Sequence, residues 1–310
     1  MARRLRRAGA LVAPAPVAAG TGPAAGGPAP APVSDLELGR REYRRRQSTR
    51  SVVVAAISTV VFAALAWWAV TSTPGWERVR FSFFDGESLV AAWPRVLEGL
   101  WLNVRVLVGA ALGVAVLSTV LSALRTLRGP VFFPVRALVR GYTDLFRGLP
   151  LIIVLYLVGF GVPGLGLGIP RLPAEFWGTI ALVLTYSAYV SEVVRAGIDA
   201  VHPSQRLAAR SLGLSHAKTL RLVVFPQALR KVTPALMNDL VSMQKDVGLI
   251  SVLGAVDAVR AAQIETATAA NFTPYVLAGL LFVVLALPTI WLTDWLSARL
   301  RRREQAGSVV

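Results

Sequence analysis

The chain has 310 residues, 55% of them hydrophobic and 16% charged, with a formal net charge of +16 and a mean hydropathy of +0.57. These proportions exclude a disordered, collagen-like or ordinary water-soluble protein and describe a membrane protein. There is no cysteine, so disulfides, thiolate catalysis and Cys-based metal sites are impossible. His202 and His216 stand without a second ligand at metal spacing, so no metal site is expected.

Residues 1–33 are mostly Ala, Pro, Gly and Val behind an arginine-rich start. Proline breaks them too often for a helix, and residues 1–50 are expected to form a disordered basic tail. The apolar run after Arg7 stops at Pro14, too soon for a signal peptide. The cluster Arg40 to Arg50 abuts the first apolar run, where it suits anionic lipid head groups as well as fixing topology.

Six membrane helices are predicted: 52–72, about 97–124, about 133–162 with a kink at Pro150, about 176–199, about 233–257, and 274–297. The fold class is therefore an all-α polytopic helix bundle. Lys and Arg are concentrated in residues 1–50, 125–147, 201–232 and 299–303, which carry 10, 5, 6 and 4 of the 33. The segments 76–95, 163–173 and 259–273 are poor in them. By the positive-inside rule the rich segments, and both termini, are cytoplasmic. This distribution, rather than nucleic-acid binding, accounts for the charge.

Ionisable side chains at membrane depth are costly and belong inside a bundle or beside water. Thr185, Tyr189, Glu192, Arg195 and Asp199 recur at helical spacing on one face of the fourth helix. Asn238, Ser242, Lys245 and Leu249 do the same on the fifth, with Asp239 and Asp246 one step round. Of these, Thr185, Tyr189, Glu192, Arg195, Asn238, Ser242, Lys245 and Asp246 are the candidate translocation path. The competing explanation is a set of structural ion pairs and interhelical hydrogen bonds.

No Gly-Lys dipeptide occurs, so the phosphate-cradling loop of an ATPase is absent. Gly159-Phe160-Gly161-Val162-Pro163-Gly164 matches a dinucleotide fingerprint by letter only, and an extracellular turn is expected there. Asn271-Phe272-Thr273 is a glycosylation triplet too short to carry weight. In the loop 201–232, Pro203 and Ser204 resemble a helix start and Gly213 a stop. A helix of about ten residues between them suits either a partner's groove or a lipid surface.

The run Leu207-Ala208-Ala209-Arg210-Ser211-Leu212-Gly213-Leu214-Ser215, with Lys218-Thr219-Leu220-Arg221 and Phe225-Pro226-Gln227-Ala228-Leu229-Arg230, resembles the Glu-Ala-Ala loop of ABC-type importer permeases. The likeness is to the polar amino acid branch, which serves histidine, glutamate, glutamine and arginine. It extends through Arg147-Gly148-Leu149-Pro150-Leu151, Glu192 to Ile198 and Lys245 to Val252, covering roughly residues 95–298. The resemblance implies a five-helix permease core, one extra helix at 51–73, and a basic tail at 299–310. It also implies a coupling helix, shaped by Ala208, Ala209 and Gly213 with Pro226 at re-entry, that fits a separate cytoplasmic ATP-binding subunit. That subunit would hold the ATP and magnesium, this chain holding no cofactor and catalysing nothing. An external binding protein would deliver the amino acid, and a second permease, identical or homologous, would complete the assembly in a bacterial cell membrane. One departure is that the motif's usual Glu is Leu207, which removes an expected salt bridge or cap. A secondary transporter or channel for a small polar solute is the alternative, and it leaves the long cytoplasmic loop unexplained.

Overall fold

The computed structural model describes residues 35–127, 129–166 and 172–307, with side chains described between residues 50 and 300. Residues 1–34, most of the expected tail, lie outside the described residues. The chain divides into two units, residues 1–72 and 73–310.

The first unit holds helix α1, Asp35–Thr71. Residues 35–50, expected to be disordered, are helical, because the proline-rich composition ends at Pro32 and an acidic first turn suits a helix N-terminus. The helix stops just ahead of Pro74 and Gly75, which disfavour its continuation. Its part from Arg50 to Thr71 is long and apolar enough to cross a membrane.

The second unit begins with α2, Trp76–Phe83, and α3, Gly86–Arg125. Asp85 caps α3, its carboxylate accepting from the Ser88 amide at 2.8 Å. A short 3-10 turn leads into α4, Phe133–Gly148, and Leu149 is extended as a residue before proline must be. Helix α5, Leu151–Tyr156, then starts at a 110° bend, far sharper than the expected kink. It continues without interruption through a π-helical turn, Leu157–Gly161, into α6, Val162–Gly164. The expected turn at Gly159 to Gly164 is therefore helical. Gly159 has a packing reason, since a Cβ there would lie 2.5 Å from Leu253 Cδ2.

Helix α7 is Ala174–Asp199, α8 is Pro203–Ser211 and α9 is His216–Thr219. A π-helical turn joins α9 to α10, Phe225–Asp246, with Pro226 in its first turn. Helix α10 tightens into a 3-10 stretch, Val247–Leu253, which ends at Gly254 with φ of +90°. Beyond a 52° bend comes α11, Ala258–Ala269, where the sequence reading had a loop. The chain closes with α12, Thr273–Gly307.

Among the described residues there is no strand. Four helical stretches are long and apolar enough to cross a membrane, and the two bent pairs raise the number to six if each is one span. The main core joins α3, α7 and the α10 region through Val106, Ala110, Leu182, Tyr186, Val247 and Ile250. Small residues permit close approach, as in other membrane bundles. A Cβ on Gly113 would lie 2.6 Å from Val183, and one on Gly178 would lie 2.7 Å from Ile250.

At one end of this unit, α3, α11 and α12 pack through Ala92, Val96, Ala262 and Leu277. There Asn271 is buried, its side-chain amide donating to the Phe81 carbonyl at 2.8 Å, so the glycosylation triplet has a structural use. At the other end Ile198, Val201, Val224 and Ala228 form the base that carries α8.

Candidate coupling and translocation site

Helix α8 is closed at both ends by its own sequence. His202 caps it, Nδ1 accepting from the Ser204 amide at 3.2 Å, and Pro203 occupies the first turn. At the far end the Gly213 amide donates to the Arg210 carbonyl at 3.0 Å and the Leu214 amide to the Ala209 carbonyl at 3.2 Å. This paired termination requires a left-handed residue, and Gly213 has φ of +81°. The start and stop predicted from Pro203 and Gly213 are thus observed.

Ala209 is buried against the base, whereas Ala208, Gly213 and Pro226 are exposed. Leu207 of α8 is 70% exposed, and Leu212, just past its end, is 82% exposed, so two leucines stand out among the exposed Gln205, Arg210 and Ser211. Two cations fasten this region to the C-terminal carbonyls of α7, where the helix dipole favours positive charge. Arg206 of α8 donates to the Ile198 carbonyl. Lys231 of α10 donates to the Ala200 carbonyl at 2.7 Å.

Immediately above, a chain of ion pairs ties α7 to α3. Arg125 lies 2.6 Å from Glu192, Glu192 lies 2.5 Å from Arg195, and Arg195 lies 2.5 Å from Asp199. Arg125 is 13% exposed and Glu192 22%, so the central pair is largely shielded from water. The sequence reading used Arg125 only as a topological charge. Its link to Glu192 spans 67 residues, and no local spacing could reveal it.

The other predicted path residues are dispersed. Thr185 is buried and its hydroxyl has no partner. Tyr189 donates to the Arg147 carbonyl at 3.2 Å, with the Arg147 guanidinium 6.0 Å from its ring centre. Asp246 accepts from the Tyr186 hydroxyl at 2.7 Å. Asn238 and Lys245 are exposed and Ser242 is half-buried.

Two adjoining cavities lie toward the end that bears α8, the first between α3, α7 and α10 and the second between α3, α4, α7 and α8. The first, about 460 Å³, is walled mainly by hydrocarbon from Val114, Val190, Val194, Leu236 and Leu240, with Asp239 in its wall. The second, about 1040 Å³, is polar and includes Arg125, Arg140, Asp144, Glu192, Arg195 and Arg206. Both are bordered by Ser122, Thr126, Ile198 and Leu220. On α7 the apolar cavity takes the face Tyr186, Val190, Val194 and Ile198, one step round from the polar stripe singled out in the sequence. Glu192 and Arg195 are the predicted path residues that border these cavities. Toward the opposite end, Asn103 is buried, donating to Asp257 at 3.0 Å and to the Val247 carbonyl at 3.3 Å and accepting from the Ala258 amide at 3.1 Å. Among the described residues no group of His, Cys, Asp or Glu could hold a metal ion.

Helix α8, at one end of the bundle, is thus bonded to α7, which borders both cavities. Residues 130–302 match the family described as binding-protein-dependent transport system inner membrane component. The chain belongs to this family. Among its relatives, the arginine transport system permease protein ArtQ of Bacillus subtilis (strain 168) is 35% identical over 206 residues, 66% of this chain and 91% of that one. The glutamate/aspartate import permease protein GltK of Escherichia coli O6:H1 is 30% identical over 222 residues, 70% of this chain and 98% of that one. Of the solved structures, the crystal structure of an amino acid ABC transporter with histidines aligns at a TM-score of 0.63 and 32% identity, covering 70% of this chain and 98% of its own. The methionine ABC transporter MetNI in an inward-facing conformation aligns at 0.55 and 16% identity, covering 66% and 96%, a likeness of fold alone. As a family member the chain is a transport subunit, and α8 occupies the position that the sequence assigned to the coupling helix.

Proposed function

We infer that this chain is the membrane-spanning subunit of an ATP-driven importer for a polar amino acid. The observation that carries the reading is α8, a short helix at the base of the bundle whose Leu207 is exposed and whose Arg206 is bonded to the end of α7. A push or pull on α8 is delivered to α7 as a rigid displacement, and α7 borders both cavities. The family and the names of the relatives supply the rest of the reading. A separate cytoplasmic subunit binds and hydrolyses ATP with magnesium, a binding protein on the outer side delivers substrate, and a second permease subunit completes the assembly.

In this reading six helices cross a bacterial cell membrane with both termini cytoplasmic, and membrane lipid surrounds α1. Ala208, Ala209, Gly213 and Pro226 shape the contact with the ATP-binding subunit. Leu207, in place of the family's usual Glu, makes that contact apolar at one position. Glu192 and Arg195, with Thr185, Tyr189, Asn238, Ser242, Lys245 and Asp246, belong to the translocation path or brace it. An alternating-access importer works only if outward and inward states differ in their affinity for the ATP-loaded partner.

The test is uptake of labelled amino acids by cells carrying the gene, lacking it, or carrying Gly213→Asp. An aspartate at φ of +81° departs from the glycine that the turn favours and adds a negative charge to the exposed end of α8. Loss of ATP-dependent uptake in both the deletion and the variant is expected. Normal uptake by the variant, with the deletion inactive, would mean that α8 does not couple.

A further inference from the structure

Helix α2 stands at the end of the bundle opposite α8, and none of its residues is buried. Phe81 is 70% exposed and Phe84, just past its end, 63%, with Val79 and Phe83 also exposed. Its position is fixed all the same. The Asn271 side-chain amide donates to the Phe81 carbonyl at 2.8 Å, the Phe272 amide to the Ser82 carbonyl at 2.6 Å, and the Asp85 amide to the Thr273 hydroxyl at 3.0 Å. The Phe83 ring stacks on Phe272 with centres 5.2 Å apart, and Phe272 stacks on Tyr275 at 6.5 Å. The end of α2 is therefore held level with the first turn of α12.

The depth of that turn is legible on α12 itself. Tyr275 and Trp295 stand twenty residues apart on this helix, about 30 Å along its axis, which is the thickness of a hydrocarbon layer. Both are exposed, as is Trp291, and the Arg299 guanidinium lies 5.2 Å from the Trp295 ring centre. Aromatic side chains gather at the two membrane–water boundaries, so Trp291 and Trp295 mark one boundary and Phe272 and Tyr275 the other. We propose that α2 is an interfacial helix embedded among the phospholipid head groups at this second boundary, which is the outer surface in the importer reading. Phe81, Phe83 and Phe84 reach the upper acyl chains, while Arg78 and Arg80, against the single carboxylate of Glu77, meet the lipid phosphates. A docking face for a soluble protein would stand in water clear of the aromatic belt, whereas α2 is stacked on the belt. Its hydrogen bonds to residues 271–273 pass the anchorage to α12, so α2 fixes how deep this end of the bundle sits. The importer reading supplies only the side of the membrane; the depth follows from α12.

The chain has no cysteine, so Phe81→Cys or Phe84→Cys takes a single nitroxide label. The experiment uses the complete importer in liposomes, its partner subunits free of cysteine. It compares collisions of the label with oxygen, which concentrates in lipid, and with a water-soluble nickel chelate. Val284→Cys, at an exposed position midway between the two aromatic belts on α12, supplies the value for lipid. Oxygen is expected to outweigh the chelate at 81 and 84, less strongly than at 284, and to do so equally with and without the binding protein. Dominance of the chelate at both positions would place α2 in water and overturn the proposal. Dominance that disappears only when the binding protein is added would overturn it in favour of a protein-docking face. Should Phe81→Cys fail to assemble, Phe84→Cys and Val79→Cys decide. ATP-dependent uptake by the same liposomes tests the importer reading separately, and its loss would leave the depth of α2 unchanged.

Discussion

Cutting the Arg125–Glu192 link tests whether the ion-pair chain holds α3 to α7. The two groups lie 2.6 Å apart with exposures of 13% and 22%, so water screens them weakly. Breaking a fully buried pair costs about 3–5 kcal/mol because one charge is left uncompensated. Here Glu192 keeps Arg195 at 2.5 Å, and Arg125→Met should therefore cost less, about 1–3 kcal/mol. Removing the carboxylate instead, as in Glu192→Gln, strands Arg125 and leaves Arg195 only Asp199, 59% exposed. That variant should be at least as unstable. For a unit of this size roughly 2–4 °C of Tm corresponds to each kcal/mol, so the single variants should lose about 2–12 °C in detergent. The assay is a double-mutant cycle by thermal unfolding of the purified protein. Arg125→Met with Glu192→Gln should be more stable than the sum of the singles implies, by at least about 1 kcal/mol. Strict additivity would refute the link.

Three further outcomes follow from the packing. Gly99→Ala should destabilise the unit, since a Cβ there would lie 2.5 Å from the Ala258 amide nitrogen and 2.6 Å from the Asp257 carbonyl oxygen; Gly279→Ala, with open space around it, should leave Tm unchanged or slightly raised. Asn103→Leu removes hydrogen bonds to Asp257, Val247 and Ala258, and should lower stability by about 3 kcal/mol or more, read as loss of folded protein on size-exclusion chromatography. Gly213→Ala should cost about 1 kcal/mol locally and reduce uptake less than Gly213→Asp, because the smaller side chain disturbs the exposed surface least.

The parts of the fold that were legible in the sequence rest on local rules. Pro203 and Gly213 bound α8 because one suits a helix start and the other a left-handed end, and neither requires a distant partner. The apolar lengths of α1, α3 and α12 likewise announce themselves. What escaped depended on tertiary contact. Helix α11 is short and rich in alanine, and its cap, the Asp257 carboxylate accepting from the Arg260 amide at 2.9 Å, looks like an ordinary loop aspartate. The glycines from 159 to 164 imitate a turn, yet Gly159 is small because Leu253 packs against it from a helix almost 100 residues away.

The candidate site was half legible for the same reason. Helical spacing correctly joins Glu192, Arg195 and Asp199, which lie on one element and bond to one another. It cannot supply Arg125, nor say that the cavity follows the neighbouring face through Val190 and Val194. It also singles out Asp246 and passes over Asp239, although Asp246 is held by Tyr186 and Asp239 Oδ2 is buried without a hydrogen-bond partner. Partner identity, not spacing, distinguishes the two carboxylates.

The central claim is that this chain, with its partners, moves an amino acid at the expense of ATP. The direct measurement is uptake into proteoliposomes containing the purified assembly, with binding protein and labelled amino acid outside and ATP with magnesium trapped inside. The account predicts accumulation above the external concentration, abolished by omitting ATP. Equal accumulation without ATP, or equilibration driven by the substrate gradient alone, would contradict it.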